Sequence, residues 1–229
     1  MNKSGAASHV EVIFAFVLFI TFVAGAIYFV NPSKSDQSGE IASKYALDTL
    51  VENVSSQLVR YSFVVQDSYS AGIWFKISSI YSTLNAVAKK ENGVILPGKQ
   101  QGSNICVALG PGNFTSIELS DAFNSLSTYS GVCDIKKYSL ASVTSEKIVS
   151  EKKIMSLRDK YYSDYVGAKS LLGVPTSNDF SFYLIYDQNN QISAQMNSTG
   201  ISKYSYERNV KVATMNGETK FGILRVVVW

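Results

Sequence analysis

The longest apolar run of the chain covers residues 12–30, VIFAFVLFITFVAGAIYFV, and its only polar interruption is Thr21. A run of this length is about what a helix needs to cross a hydrocarbon core of ~30 Å. Asn31-Pro32 follows the run, and a proline disfavours helix at the residue before it. The pattern therefore predicts a transmembrane helix over residues 7–31, followed by a polar linker over residues 32–39.

A second helical pattern covers residues 40–61. Its apolar positions recur at three- and four-residue spacing, while Lys44, Asp48 and Glu52 fall on the opposite face. Such a stripe predicts an amphipathic helix that packs against a sheet. Asn31-Pro32 and Gly39 separate the two patterns, so we expect two helices or a pronounced kink rather than one rod.

Most of the remaining chain, residues 62–229, has strand character. Segments rich in Val, Ile, Tyr and Phe alternate with Gly, Asn and Asp, and the predicted strands cover residues 61–66, 73–78, 105–109, 115–119, 135–143, 180–187, 192–196, 204–215 and 220–229. Asn216-Gly217 predicts a hairpin with a primed turn, and residues 188–190 predict a second hairpin. Residues 78–90 and 155–172 are less strand-like and fit short helices. The predicted fold class is α+β: a transmembrane helix, an amphipathic helix, and a β-rich antiparallel exported domain.

Composition and charge narrow the functional class. The 229 residues are 46% hydrophobic and 17% charged, which suits one sizeable domain and an anchor. A net charge of +3 is too small and too dispersed to indicate nucleic acid as a partner. The lysine pairs at 89–90, 136–137 and 152–153 are isolated, so we interpret them as solvated side chains.

The short segment before the apolar run carries Lys3 as its only basic side chain. Together with the N-terminal amine, it places the N terminus in the cytoplasm by the positive-inside rule. The expected location is therefore the cell membrane, crossed once, with the C-terminal domain outside the cell. A cleaved secretory signal is the alternative, because Ala24-Gly25-Ala26 offers a small-residue cleavage site. The continued apolar run after Ala26 and the acid at Glu11 argue against it.

The residues before the run read GAASHVE, from Gly5 to Glu11. This arrangement resembles the class III signal peptide of archaeal type IV pilin-like membrane proteins: a short basic leader, a small residue at the cut, and a Glu before a long apolar helix. The resemblance implies that residues 1–6 are a leader, that a prepilin peptidase cuts between Ala6 and Ala7, and that Glu11 becomes mature position five. The sequence departs from the family pattern in having a single leader charge, and Ala6 in place of the more usual glycine.

Cleavage there would give Glu11 a specific partner. The new α-amine of Ala7 has a reference pKa near ~7.7–8.0 and is largely protonated at neutral pH. Ala7 and Glu11 are four residues apart, so they share one helix face. The carboxylate can then pair with its own amine or with that of a neighbouring subunit, and so set the register of assembly. The alternative is that Glu11 is a boundary residue at the level of the lipid headgroups.

A second stretch, residues 165–187, is similar to segments in exported domains of the same family. It contains a helix pattern that ends in Leu-Gly-hydrophobic-Pro and is followed by Asp-Phe and a strand. Gly173 would be the helix C-cap and Pro175 the stop signal.

The cysteines and glycosylation sequons agree with export. Cys106 and Cys133 are the only cysteines, and outside the cell a disulfide between them is favoured over two buried thiols. A zinc site would need two more soft ligands. Acceptor sequons begin at Asn53, Asn113 and Asn197.

The sequence shows no catalytic motif. The only histidine is His9, which removes most triads and imidazole metal sites from the exported part. The aspartates that could form an acid–base pair are scattered along the chain: Asp121, Asp134, Asp159 and Asp164. We therefore expect that the protein is not an enzyme and that it binds no cofactor.

Two functions remain. The first is a structural pilin-like subunit, anchored by its N-terminal helix and assembled into a type IV pilus-like filament. Its expected partners are membrane lipid, other pilin-like subunits and a prepilin peptidase, without nucleic acid. The alternative is a monomeric membrane-anchored extracellular binding module.

Overall fold

A computed structural model describes residues 4–30, 32–65, 72–109, 114–124, 129–135, 137–187, 189–196 and 203–229, with the backbone alone over residues 4–10, 27–30 and 32–38. The helices are α1 (Ser4–Val30), α2 (Pro32–Val54), α3 (Glu151–Ser163) and α4 (Tyr165–Leu171). The strands are β1 (Ser55–Val65), β2 (Gly72–Lys76), β3 (Asn85–Lys90), β4 (Ile95–Leu96), β5 (Gly98–Gln101), β6 (Asn104–Ala108), β7 (Phe114–Ser120), β8 (Cys133–Asp134), β9 (Tyr138–Ser150), β10 (Phe180–Asp187), β11 (Asn190–Ala194), β12 (Tyr204–Ala213) and β13 (Thr219–Val228). The structure is β-rich.

The predicted transmembrane helix is wrong. In the part of the chain that the structure describes, no helix has an apolar stretch long enough to cross a membrane. The fold class is therefore corrected to a β-rich structure with helices.

The described part of α1 reaches Val30 and that of α2 starts at Pro32, and the predicted break at Asn31-Pro32 lies at a residue outside the described ranges. Other boundaries differ from the prediction. The expected linker over residues 32–39 is helical, and α2 passes through Gly39 without a break. The amphipathic helix expected over residues 40–61 ends at Val54, because the following residues form β1. Pairing of β1 with two neighbouring strands overrides the helical spacing there.

The strands form two sheets. The larger has nine strands in the order β11-β10-β13-β12-β9-β1-β7-β3-β4, and the smaller has four in the order β5-β6-β2-β8. Most neighbours are antiparallel. Two described pairings are parallel: β12 with β9 through Val212–Val149 and Ala213–Ser150, and β2 with β8.

Two large hydrophobic cores lie on the two halves of the large sheet, and a smaller buried cluster surrounds Phe123. In the first, α2, α3 and α4 pack on β10–β13; its largest buried side chains include Tyr161, Phe180, Phe182, Leu47 and Leu50. In the second, the four-stranded sheet packs on β1, β3 and β7, around Phe63, Phe75, Ile105 and Ile117. The alternation of β1 sends Val59, Tyr61, Phe63 and Val65 into the second core and leaves Arg60 on the opposite face.

All nine predicted strands overlap strands of the structure, and four further strands were missed: β3, β4, β5 and β8. The region 78–90, expected to be helical, holds a single 3-10 turn at Ser79–Tyr81 followed by β3. The predicted hairpin between β12 and β13 is confirmed. Its turn is not a primed turn centred on Asn216-Gly217, because both primed types require a positive φ at the first central residue: Gly217 has φ +90° but Asn216 does not have a positive φ.

The predicted helices over residues 155–172 are present as α3 and α4, with bounds shifted to Glu151–Ser163 and Tyr165–Leu171. Gly173 ends α4 with φ +65°, and Val174 N donates to Lys169 O at 3.1 Å. This is the 6→1 hydrogen bond of a Schellman motif, so the predicted C-cap glycine is confirmed.

Candidate functional site

The outer surface of α1 is the largest exposed apolar feature among the described residues. From Glu11 to Ala26 every residue is exposed except half-buried Gly25. The bulky side chains of this surface are Val12, Ile13, Phe14, Phe16, Val17, Leu18, Phe19, Ile20, Phe22 and Val23, with Phe22 77% exposed. We call these ten side chains the α1 surface.

The α1 surface surrounds the helix. Successive residues are about 100° apart on a helix, so the consecutive apolar residues from 12 to 20 cover its whole circumference. Thr21 is the polar residue within it, and its Oγ1 donates to Val17 O at 2.8 Å and to Leu18 O at 3.0 Å. The hydroxyl is thus satisfied inside the helix. A helix that is apolar all round is normally covered by other apolar groups.

The residues of the predicted processing site lie at the start of α1. Gly5, Ala6 and Ala7 are helical, and Glu11 is exposed at the edge of the α1 surface. Ala7 and Glu11 are separated by about one helical turn on a single continuous helix. The structure therefore places the predicted cut and the predicted register residue on one element, directly before the apolar side chains.

The predicted disulfide is present between Cys106 in β6 and Cys133 in β8, with a Cα–Cα distance of 6.1 Å. Strand β2 lies between these two strands, so the bridge passes over it at Gly72. A Cβ at Gly72 would lie 2.8 Å from the Cys106 sulfur. The absence of a side chain at Gly72 is therefore what lets the bridge pass. The disulfide ties three strands of the smaller sheet together.

Only one of the three sequon asparagines lies within the described residues. Asn53 is exposed in the last turn of α2, and its Nδ2 donates to Thr49 O at 3.0 Å. Asn113 and Asn197 lie outside the described residues.

The four scattered aspartates serve separate local roles. Asp121 pairs with Lys153 at 3.0 Å, and Asp159 pairs with its neighbour Arg158 at 3.0 Å. Asp164 caps α4 by accepting from Gly167 N at 2.9 Å, and Asp134 lies in β8. Within the described ranges, no cluster of His, Cys, Asp and Glu is arranged to hold a metal ion.

A buried charge cluster was missed by the sequence analysis. Glu118 is 2% exposed in β7, and its two carboxylate oxygens accept from Lys89 at 2.5 Å and from Arg60 at 2.6 Å. The interpretation of Lys89 as a solvated lysine is wrong, because it is buried to pair with Glu118. The lysine could have been assigned only by knowing that β3 pairs with β7.

Arg60 and Lys89 of this cluster line a cleft of about 600 Å³. The cleft is also lined by the start of β13, where Glu218 and Lys220 pair at 3.1 Å. Because Arg60 and Lys89 are engaged by Glu118, and Glu218 by Lys220, these charges do not by themselves define a ligand.

Comparisons of the chain with protein-family models, with curated proteins and with solved structures found no match.

Proposed function

We propose that the protein is a structural subunit of a surface filament, similar to the archaeal type IV pilin-like subunits, in which the α1 helices of neighbouring copies pack together. The observation that carries this proposal is the α1 surface, which is apolar around its whole circumference and exposed in the single chain. Exposure of ten bulky apolar side chains to water is unfavourable. Packing against the same helix of other copies would bury these side chains.

The separation of α1 from the rest of the chain supports the same proposal. The described residues of α1 take no part in the two large cores, which are built from the strands and from α2, α3 and α4. The domain can therefore be stable while α1 remains available to other copies. The Cys106–Cys133 disulfide supports an exported location for this domain, since structural disulfides persist in oxidising compartments.

The proposed role of Glu11 is to fix the register of assembly. After a cut between Ala6 and Ala7, the new amine of one copy would lie within reach of the Glu11 carboxylate of itself or of a neighbour. Ion pairing in an apolar surround is strong only when the partner is in position. A misaligned neighbour would leave Glu11 unpaired against apolar side chains, which disfavours that alignment.

Sequencing the mature N terminus of the full chain, produced in cells that contain a prepilin peptidase, tests the processing step. We expect the mature chain to begin at Ala7. An intact Met1, or a start after Ala26, would contradict it.

Electron microscopy of the processed protein tests the role of Glu11. We expect filaments from the unaltered chain and few or irregular ones from Glu11→Gln, while Glu91→Gln, an exposed acid far along the sequence, should assemble normally. Regular filaments from Glu11→Gln would show that the carboxylate does not set the register.

A further inference from the structure

A second cleft opens at the end of β2, on the smaller sheet. It has a volume of about 530 Å³ and is lined by two kinds of side chain. Aromatic and aliphatic walls come from Trp74, Tyr138 and Ile135, and polar groups come from Lys76, Gln101 and Asn104. We call it the Trp74 cleft. Its volume lies within the roughly 300–1,000 Å³ of small-molecule sites.

Strand alternation explains why these side chains converge. In β2, Ile73 and Phe75 point into the second core, so Trp74 and Lys76 lie on the other face. In the β5–β6 hairpin, Gln101 is directly opposite Asn104, and Phe75 and Lys76 pair with the same end of β6. The sheet register therefore places two exposed amides beside an exposed ammonium group and an indole ring.

The aromatic walls are held by contacts outside the cleft. Lys99 Nζ lies 5.7 Å from the Trp74 ring centroid and 5.8 Å from that of Tyr129, and it donates to Gly131 O at 3.1 Å. Tyr138 packs against Phe75 at 5.0 Å between ring centroids, and its hydroxyl accepts from Lys76 N at 3.0 Å. A ligand would thus meet walls that are already ordered, which lowers the entropy cost of binding.

We propose that the Trp74 cleft binds a pyranose sugar of a neutral glycan. Sugar rings present apolar C–H faces that pack on aromatic rings, and hydroxyl groups that both donate and accept hydrogen bonds. The amides of Gln101 and Asn104 also donate and accept, and the Lys76 ammonium group donates. No carboxylate is among the described residues that line the cleft, so a cationic ligand would meet the Lys76 ammonium group without a counter-charge there.

The same polar groups disfavour a purely apolar occupant. An apolar side chain seated in the cleft would cover the hydrogen-bonding ends of Lys76, Gln101 and Asn104 without pairing them, which is unfavourable. The sugar site does not depend on the α1 surface, so it can be correct whether or not the chain forms filaments.

Tryptophan fluorescence of the full chain tests the proposal. The chain has two tryptophans, so Trp229→Phe leaves Trp74 as the only reporter. This variant is titrated with maltotriose, cellotriose, mannotriose and triacetylchitotriose in a detergent without a sugar headgroup. We expect a saturable change in Trp74 emission with at least one of these sugars.

Variants of the two amides locate the binding. In the Trp229→Phe background, Gln101→Ala and Asn104→Ala should each raise the dissociation constant about 3- to 10-fold, the loss of one or two hydrogen bonds. Both side chains are exposed, so these variants should fold. The matched control is Gln191→Ala, an exposed amide on β11 of the other sheet, which should leave the dissociation constant unchanged.

Two results would overturn the proposal. One is the absence of a saturable change with all four sugars up to about 20 mM, the range of very weak binding. The other is a dissociation constant that is the same in the amide variants as in the Trp229→Phe chain. Binding of the apolar dye ANS that is lost in Ile135→Ser, without any sugar response, would assign the cleft to an apolar partner instead.

Discussion

The Glu118 carboxylate sits between two cations on the face of the large sheet that lies away from the second core. Its side chain is 2% exposed, the Lys89 side chain is 10% exposed, and the Arg60 side chain is 38% exposed. The carboxylate therefore carries the counter-charge that lets Lys89 be buried. Removing one partner of a buried pair leaves the other charge without compensation.

We expect Glu118→Gln to lower the free energy of unfolding by about 3–5 kcal/mol, because the Lys89 ammonium group loses its only strongly buried partner. Urea unfolding followed by circular dichroism at neutral pH measures this loss. The matched control is Glu52→Gln, whose side chain is 79% exposed and paired with Lys147. Its effect should be much smaller, because an exposed ion pair contributes little to stability. Equal effects of the two substitutions would contradict the assignment of Glu118 as a buried counter-charge.

Tyrosine hydroxyl groups with raised pKa values link stability to alkaline pH, and Tyr186 and Tyr165 show the largest rises. Burial raises the pKa of Tyr186, and the Glu151 carboxylate, which accepts from its hydroxyl at 3.0 Å, adds to the rise. Burial also raises the pKa of Tyr165, whose hydroxyl donates to Asp179 Oδ1 at 2.9 Å. The folded state therefore keeps both protons at a pH where the unfolded chain, with a tyrosine pKa near ~10, begins to lose them.

Above pH ~10 the folded state binds more protons than the unfolded chain. The free energy of unfolding should therefore be unaffected by these tyrosines below that pH and should fall as the pH rises above it. Tyr186→Phe removes one of these tyrosine protons from the balance. Its unfolding free energy should fall less steeply above pH ~10 than that of the unaltered chain, as measured by urea unfolding at several pH values. Parallel pH profiles of the two proteins would show that Tyr186 does not contribute to the alkaline loss of stability.

At the scale of single elements, the end of α4 depends on Gly173. Its φ of +65° is costly for a residue with a Cβ, and a Cβ there would overlap the ring of Tyr45 on α2. Gly102, in the turn between β5 and β6, has a similar φ of +58° but open space where a Cβ would lie. The two glycines therefore differ mainly in what surrounds them.

We expect Gly102→Ala to cost about 1–2 kcal/mol of unfolding free energy through backbone strain alone. Gly173→Ala should cost more, because it also displaces Tyr45 from the α2–α4 contact. Thermal or urea unfolding of both variants gives the comparison. A smaller loss for Gly173→Ala than for Gly102→Ala would show that the Tyr45 contact adds nothing.

Strands with a strong periodic signal could be predicted from the sequence, and strands defined by their neighbours could not. The segment FYLIYD of β10 is apolar and aromatic, and its position was predicted. By contrast, β3 reads NAVAKK, and its last lysines look solvated until β7 is placed beside it. The end of α2 was missed for a related reason, since Leu58 fits the helical spacing but is buried in β1.

In the whole molecule, the two large cores contain no described residue of α1, and the bulky apolar side chains of α1 are exposed. The apolar run of α1 was evident in the sequence, but the described residues contain no helix long and apolar enough to span a membrane. The disulfide and the α4 cap depended on local signals and could be predicted. The Glu118 cluster and the Trp74 cleft combine residues from three or more strands, so only the sheet order could bring them together.

The central claim is that copies of this chain associate through the α1 surface. Sedimentation velocity of the full chain tests it most directly, with Phe19→Lys as the disrupting variant and Ile80→Lys as the control. Both side chains are exposed and apolar, Phe19 at 64% and Ile80 at 76%, but only Phe19 belongs to the α1 surface. Burying a lysine charge between packed helices is unfavourable.

We therefore predict that the unaltered chain and Ile80→Lys sediment as large assemblies, and that Phe19→Lys sediments mainly as a monomer. An unaltered chain that remains monomeric, or assemblies of the same size in Phe19→Lys, would contradict the account.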